Sequence, residues 1–213
     1  MTELESLHSA ILQGKHKEAA ALTRQALEKG APADAILREG LISSMQVVGA
    51  RFGKNEIFVP EVLLSARAMK AAMEVLEPIL TACGIEPIGT IVLGTVKGDL
   101  HDIGKNLVGM MLKGSGFKVV DLGVNVSSDK FLEAVGQHGA GLLGMSALLT
   151  TTMNYMSNVI EKMKEAGLYG RVKTFIGGAP VTARFAAEIG AHGYGKDANA
   201  AVVLAEELLG AKK

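Results

Sequence analysis

From residue 88 onward, short apolar runs alternate with stretches of helical periodicity, and this alternation constrains the fold more than any other feature. The apolar runs lie at 88–93, 117–122, 141–145 and 172–176, with a last short run near Gly193. Short, mostly apolar runs of this length are typical of strands buried on both faces of a parallel sheet. Five strand–helix units in about 125 residues therefore predict an α/β fold with a doubly wound, five-stranded parallel sheet, Rossmann-like or flavodoxin-like.

The first part of the chain has helical periodicity throughout. Four helical stretches with short connections predict an all-α four-helix bundle over residues 1–82. Its last loop contains large apolar residues, and we expect Phe58 and Val62 to belong to the bundle core. Pro78 and the residues after it indicate the end of the bundle. The expected domains are thus 1–82, a linker at 83–87, and an α/β domain at 88–213.

Composition excludes several classes of function. The formal net charge is zero and aromatic residues make up 4% of the chain, so neither charge nor stacking favours binding to nucleic acid. No uncharged apolar run approaches the length of about 18 residues that a membrane span needs. The acidic start of the chain lacks the apolar core of a signal peptide, and a single cysteine, Cys83, suits a reducing compartment. We therefore expect a cytoplasmic protein with no membrane or nucleic-acid partner.

The loop after the first predicted strand holds the most distinctive residues. Asp99 and His101 stand two residues apart among the glycines of the segment 94–106. Ligands of open parallel sheets usually bind at the carboxyl ends of the strands. An aspartate beside a histidine can accept one imidazole N–H and so fix which nitrogen remains for another ligand.

Spacing removes several interpretations of this loop. A phosphate-binding P-loop needs four residues between its first glycine and Gly-Lys-Ser/Thr, but Gly98 and Gly104 enclose five, and Asn106 stands where the hydroxyl should be. A G-x-G-x-x-G dinucleotide fingerprint is absent, and the other histidines show no zinc-site spacing. The possibility that remains is one histidine ligating a metal that arrives in its own cofactor.

Two further loops are expected at the same edge of the sheet. The third strand is followed by the hydroxyl-rich segment 146–152, and the fourth by Gly177-Gly178-Ala179-Pro180. Because carboxyl ends of parallel strands lie at one edge, these loops should converge on Asp99 and His101.

The three loops together resemble the cobalamin-binding signature of the B12-dependent methyltransferases and mutases. The signature residues are Asp99-x-His101-x-x-Gly104, then Ser146-x-Leu148 after 41 intervening residues, then Gly177-Gly178 after another 28. The segments 95–106 and 120–124 resemble the methionine synthase and corrinoid-protein branch more closely than the mutases. Residues 52–61 and 65–70 are similar to the helical cap of that branch, so the resemblance covers nearly the whole chain.

The resemblance implies a cobalamin or related corrinoid whose cobalt alternates between Co(I) and methyl-Co(III). It implies His101 as the cobalt ligand, Asp99 as the partner of its other nitrogen, and Thr152 as the end of a hydrogen-bonded relay, with Thr150 and Thr151 close by. Ser146 and the glycines would border the buried nucleotide tail of the cofactor, and the cap would cover its methyl-bearing face. The cofactor-binding residues expected on this basis are Gly98, Asp99, Leu100, His101, Asp102, Ile103, Gly104, Ser146, Leu148, Thr150, Thr152, Gly177, Gly178, Phe52 and Val59.

The function implied is that of a methyl carrier, a subunit of a methyltransferase system and not a complete enzyme. Its expected partners are a substrate-specific methyltransferase, a second methyltransferase that takes the methyl group, and a reductive activase. Methylamines, methanol, methoxylated aromatics and betaines all fit as donors, since selectivity would lie in the partner. The alternatives are a cobalamin-dependent sensor or regulator and a small mutase subunit. Nothing basic precedes Leu4 as a DNA-binding segment would require, and the cap segment 52–60 argues against a mutase.

Overall fold

A computed structural model describes residues 3–210 of the chain and divides it into two compact units. The helical unit comprises residues 3–87 and 113–116, and the α/β unit comprises residues 88–112 and 117–210. No helix within 3–210 is both long enough and apolar enough to cross a membrane.

The helical unit is the predicted bundle. Its elements are α1 (Glu3–Leu12), α2 (His16–Glu28), α3 (Ala33–Ala35), a π-helical segment (Ile36–Ile42), α4 (Ser43–Gly53) and α5 (Val59–Ala82). The apolar positions that recur at helical spacing point inward, and Leu7, Ile11, Leu41, Val62 and Leu76 are fully buried. The predicted helical cap domain is confirmed.

Two details of the bundle differ from prediction. Pro78 does not mark the end of the last helix, because α5 continues past it to Ala82; a proline lacks one N–H donor, and this 24-residue helix tolerates the loss. Phe58 was wrongly assigned to the bundle core, since 63% of it is exposed, whereas Val62 is buried as expected. Phe58 is the residue before α5, and its backbone N–H donates to the Glu61 carboxylate at 3.1 Å, which leaves its ring outside the first helical turn.

The α/β unit contains the predicted five-stranded, wholly parallel sheet, and the structure gives its strand order as β2-β1-β3-β4-β5. Its strands are β1 (Thr90–Thr95), β2 (Lys118–Asp121), β3 (Leu142–Ser146), β4 (Lys173–Gly177) and β5 (Gly193–Tyr194). Its helices are α6 (Ile103–Gly114), α7 (Ser128–His138), α8 (Thr150–Met153), α9 (Tyr155–Glu165), α10 (Ala183–Ile189) and α11 (Ala198–Leu208). The connection between β3 and β4 thus contains two helices, α8 and α9.

The strand order sets the place of the site. The chain moves from β1 outward to β2, then crosses back to the other side of β1 to form β3, so the connections diverge between β1 and β3. Thr95 at the end of β1 pairs with Ser146 of β3, and Ser146 pairs with Gly177 of β4. The three loops singled out in the sequence therefore leave the sheet side by side, at the position where ligands of doubly wound sheets bind.

Candidate functional site

An aspartate and a histidine form the centre of the site. Asp99 is completely buried just after β1, and its Oδ1 accepts hydrogen bonds from the backbone N–H of His101 at 3.0 Å and from His101 Nδ1 at 2.7 Å. The His101 side chain is half exposed. An imidazole held through Nδ1 presents Nε2 on the opposite side of the ring, so Nε2 is the nitrogen of His101 that remains for another ligand.

The second carboxylate oxygen of Asp99 joins this loop to the one that follows β3. Its Oδ2 accepts from the backbone N–H groups of Leu148 at 2.8 Å and Leu149 at 3.3 Å, and from Thr152 Oγ1 at 2.7 Å. Burial acts to raise the pKa of Asp99, but the hydrogen bonds from Thr152, Leu148 and His101 outweigh it and hold the pKa well below its usual range. Asp99 is therefore a permanently charged acceptor at neutral pH.

The structure distinguishes between the three consecutive threonines of α8. Thr152 contacts Asp99 and also donates to the Leu149 carbonyl at 3.0 Å, whereas Thr150 and Thr151 are exposed. Ser146 lies half-buried at the end of β3, where its carbonyl accepts from the Val96 N–H at 3.0 Å. The structure thus brings Thr152, Asp99 and His101 together, while the roles of Thr150 and Ser146 toward a cofactor stay predictions.

Large apolar side chains on the loops after β1 and β3 are exposed near His101. Leu100 and Ile103, on either side of His101 in the chain, are 71% and 81% exposed, and Leu148 and Leu149 of the neighbouring loop are each 43% exposed. Exposed apolar side chains grouped beside polar groups mark ligand-binding surfaces. A ligand with an apolar surface and a metal centre suits this arrangement, since one oriented imidazole nitrogen lies among these side chains. A corrinoid has that form.

The predicted glycines fall into two groups. A Cβ added to Gly104 would meet no atom within 4 Å, and Gly98, at φ +84°, would meet only the Thr152 methyl at 3.5 Å. A Cβ on Gly178 would lie 1.8 Å from the Ala147 oxygen, and one on Gly177 would lie 2.9 Å from the Gly195 oxygen. The protein's own backbone already requires Gly177 and Gly178, whereas only Gly104 borders open space.

Asp102 lies in a polar network on α6. Its Oδ2 accepts from Asn106 Nδ2 at 3.0 Å, and Asn106 Oδ1 accepts from Lys105 Nζ at 2.7 Å. Lys105 is buried, with 3% of it exposed, and its ammonium also forms an ion pair with Asp121 Oδ2 at 2.5 Å. Burial of this lysine could not be predicted from its place in the loop-to-helix segment, because lysine is normally exposed.

Sequence reasoning also missed Thr95. This residue is completely buried as the last residue of β1, and its Oγ1 donates to the carbonyl of His101 at 2.9 Å. Its hydroxyl therefore holds the backbone of His101 to the end of β1, through a bond that does not involve Asp99. The available signal was a hydroxyl residue ending an otherwise apolar buried strand immediately before the Asp-His loop.

The two predicted cap residues belong to the helical unit. Phe52 is half-buried near the end of α4, and Val59, the first residue of α5, is 37% exposed. Their covering of a bound cofactor stays a prediction. In the described residues 3–210, no group of three or more His, Cys, Asp and Glu side chains is arranged to hold a metal ion.

Comparison with protein families matches both parts of the chain. One family model, described as a B12 binding domain, matches residues 89–203, and a second, also described as a B12 binding domain, matches residues 3–77.

Individual proteins similar to this chain match over nearly its whole length. A corrinoid protein of Desulfitobacterium hafniense (strain Y51) is 40% identical, covering 99% of each chain. Dimethylamine corrinoid protein 2 of Methanosarcina acetivorans is 42% identical, covering 97% of this chain and 95% of that protein. A chain in the crystal structure of the methanol:cobalamin methyltransferase complex from Methanosarcina barkeri is 29% identical, with a TM-score of 0.88, covering 99% of this chain and 81% of that one.

Proposed function

The chain belongs to the corrinoid proteins, the B12-binding carriers of methyltransferase systems, and we propose that it holds cobalt through His101. It carries a methyl group on the corrinoid and receives it from a methyltransferase. The observation that supports His101 as the ligand is its half-exposed ring, fixed at Nδ1 by a buried aspartate and bordered by exposed apolar side chains.

The roles of the protein groups follow from their hydrogen bonds. Because the pKa of Asp99 is held low, the Nδ1 proton stays on the ring of His101 and the aspartate stays charged. A charged acceptor at Nδ1 makes Nε2 a stronger donor toward a metal and fixes the orientation of the ring. Thr152 holds the far oxygen of Asp99, so it acts on His101 through the aspartate. The bound corrinoid supplies the cobalt centre that accepts and releases the methyl group.

The apolar side chains around His101 have a separate role. Leu100, Ile103 and Leu148 would pack against the face of the macrocycle that His101 approaches, and their burial by the ligand would contribute binding free energy. Gly104 borders open space at the start of α6, and we propose that this space admits part of the cofactor. Phe52 and Val59 are proposed to shield the opposite, methyl-bearing face.

Two further partners belong to the proposal. A carrier that has been methylated must pass the group on, so a second methyltransferase is required. A reduced cobalt centre is lost by oxidation during repeated turnover, so a reductive activase is also required. The same sensitivity to oxidation favours a cytoplasmic location.

We propose methylamines as the class of methyl donor. Support comes from the relatives: the dimethylamine corrinoid protein is 42% identical to this chain, whereas the chain from the methanol system is 29% identical. The surface of this chain that contacts the donor-specific methyltransferase should therefore resemble that of the dimethylamine protein more than that of the methanol-system chain.

The test is a reconstituted methyl transfer. The apo-protein is loaded anaerobically with a corrinoid, reduced, and mixed with a methylamine methyltransferase and one methylamine at a time, while the cobalt absorption bands are followed. Conversion of the reduced spectrum to that of the methylated cofactor is expected with a methylamine. Conversion with methanol and its methyltransferase alone, or conversion in neither system, would contradict the proposed donor.

A further inference from the structure

The loop after β2, residues 122–126, continues the pairing of β1 beyond the end of β2. The Leu122 N–H donates to the Leu93 carbonyl at 2.8 Å, and the Thr95 N–H donates to the Gly123 carbonyl at 2.9 Å. The Val126 N–H then donates to the Thr95 carbonyl at 2.9 Å. This loop is therefore held along β1 and reaches the loop that contains Asp99 from the side opposite β3.

Asn125 of this loop makes two hydrogen bonds to the Asp-His loop. Its backbone N–H donates to the Asp99 carbonyl at 3.0 Å, and its Oδ1 accepts from the Gly98 N–H at 2.8 Å. Asn125 thus donates one bond and accepts the other, and the two bonds lie on either side of the peptide bond that joins Gly98 to Asp99. They fix both ends of the segment that places the aspartate.

The backbone of Asn125 is in the left-handed region, at φ +53°. Most side chains are disfavoured there, while asparagine and glycine adopt this conformation at low cost. Glycine would supply the backbone conformation but not the acceptor for Gly98. Both properties of asparagine are therefore used at this position.

The start of the loop is anchored by the buried ion pair. Asp121 Oδ1 accepts from the Gly123 N–H at 2.9 Å, while its Oδ2 contacts the Lys105 ammonium of α6. The loop is thus tied both to the strand before His101 and to the helix after it. A shift of Asn125 would need one of these bonds to break.

We propose that Asn125 is a positioning residue for the cobalt ligand, an inference that rests on the proposed role of His101. Asn125 holds the Gly98–Asp99 backbone from the β2 side, while Thr152 and Leu148 hold the Asp99 carboxylate from the β3 side. Asp99 is fixed only when both sides are in place, and the direction of His101 Nε2 depends on Asp99. Loss of the Asn125 amide should therefore weaken ligation by His101.

Three variants test this inference. Asn125→Gly keeps the left-handed backbone and removes the acceptor, Asn125→Asp keeps an acceptor oxygen, and Asn55→Gly is the matched control, since Asn55 has φ +58° in the helical unit. Loss of one neutral hydrogen bond predicts about fivefold weaker corrinoid binding for Asn125→Gly. The fraction of bound corrinoid with the histidine-ligated absorption spectrum should fall with it. Asn125→Asp and Asn55→Gly should both match the wild type.

A second measurement does not depend on the folding of any variant. Amide hydrogen exchange of the wild-type apo-protein should show protection of the exposed Gly98 N–H, because Asn125 accepts its hydrogen bond. Exchange of Gly98 at the rate of an unprotected loop would overturn the inference. The inference would also be overturned if Asn125→Gly bound corrinoid with the wild-type affinity and spectrum. It would be overturned as well if Asn125→Asp lost as much corrinoid affinity as Asn125→Gly. A wild-type corrinoid complex without a histidine-ligated spectrum would instead overturn the role of His101, with the Gly98 result still standing.

Discussion

Thr152 Oγ1 lies 2.7 Å from Asp99 Oδ2 and so joins two loops whose residues are 53 positions apart in the chain. The bond fastens the start of α8 to the carboxylate that orients His101. Its acceptor is charged and completely buried, and bonds of this kind contribute more than neutral ones.

Replacing Thr152 by valine should therefore destabilise the apo-protein. We expect Thr152→Val to lower the free energy of unfolding by about 1.5–3 kcal/mol, the usual range for a hydrogen bond to a charged group. Urea denaturation of the apo-protein measures this change. Thr151→Val, at an exposed neighbouring position, should change stability by no more than about 0.5 kcal/mol. Equal effects of the two substitutions would show that the Asp99 contact contributes nothing.

A second prediction concerns Thr95, which holds the backbone of His101, the proposed cobalt ligand. Thr95→Val keeps the shape of the side chain but leaves the His101 carbonyl without its buried donor. The apo-protein should lose about 0.5–1.5 kcal/mol, the usual net contribution of one neutral hydrogen bond. The histidine-ligated fraction of bound corrinoid should fall as well, and Thr95→Ser should restore it. If Thr95→Val kept the wild-type spectrum, Thr95 would have no role in holding His101 for ligation.

Gly104 and Gly178 should respond oppositely to alanine. Gly178→Ala places a Cβ 1.8 Å from the Ala147 oxygen, at φ +127°, and should prevent stable folding. Gly104→Ala meets no atom within 4 Å in the first turn of α6, and should stabilise the apo-protein by up to about 0.5–1 kcal/mol.

The same Gly104→Ala variant should bind corrinoid more weakly, because the added methyl group occupies the proposed cofactor space. Thermal denaturation of the apo-protein and titration with a corrinoid separate the two effects. Binding as tight as that of the wild type would show that the open space beside Gly104 is not used.

His192, which lies at the edge of the sheet opposite the site, should make the stability of the protein depend on pH. Its Nδ1 accepts from the Thr174 N–H at 3.1 Å, and its ring packs against Tyr169 with the ring centres 4.8 Å apart. Burial, and then the charge of Lys173, lower the pKa of His192 below its ordinary 6.5. The unfolded chain therefore binds this proton more readily than the folded protein. The contribution of His192 to stability is complete above about pH 6.5 and is lost as the pH falls below that value.

Urea denaturation between about pH 5 and 7.5 measures this dependence. His192→Asn, whose amide oxygen can replace Nδ1 as the acceptor, should reduce the loss of stability at low pH. His138→Asn, on the exposed side of α7, is the control and should leave the pH dependence as in the wild type. An unchanged slope in His192→Asn would contradict the assignment.

The sequence was sufficient to predict a five-stranded parallel sheet and the convergence of its loops at one edge, but not the strand order. Apolar runs predict buried parallel strands even when the order of the strands is unknown. The loops at the carboxyl ends of such strands lie at one edge of the sheet, and Asp99 and Thr152 meet at that edge. The choice of Thr152 among three threonines came from the family resemblance, since neighbouring hydroxyls cannot be distinguished by pattern alone.

Other features depend on contacts between distant segments and could not be read from local pattern. Thr95 and Asn125 act through single hydrogen bonds whose partners are set by three-dimensional register. Gly178 has a reason to be glycine within the protein itself, since the Ala147 carbonyl lies beside it. Phe58 was misassigned because a large apolar residue is usually buried, while its position before α5 leaves it exposed.

The central claim is that His101 Nε2 is the protein ligand to cobalt. Electron paramagnetic resonance of the corrinoid-loaded protein in the Co(II) state measures this directly, because an axial nitrogen splits each cobalt line. With natural-abundance nitrogen the splitting is a triplet, and labelling the protein's histidines with nitrogen-15 should turn it into a doublet. His101→Ala should abolish the protein-derived splitting, whereas His138→Ala should keep it. A triplet unchanged by histidine labelling would mean that the cofactor supplies its own axial nitrogen, and would contradict this account.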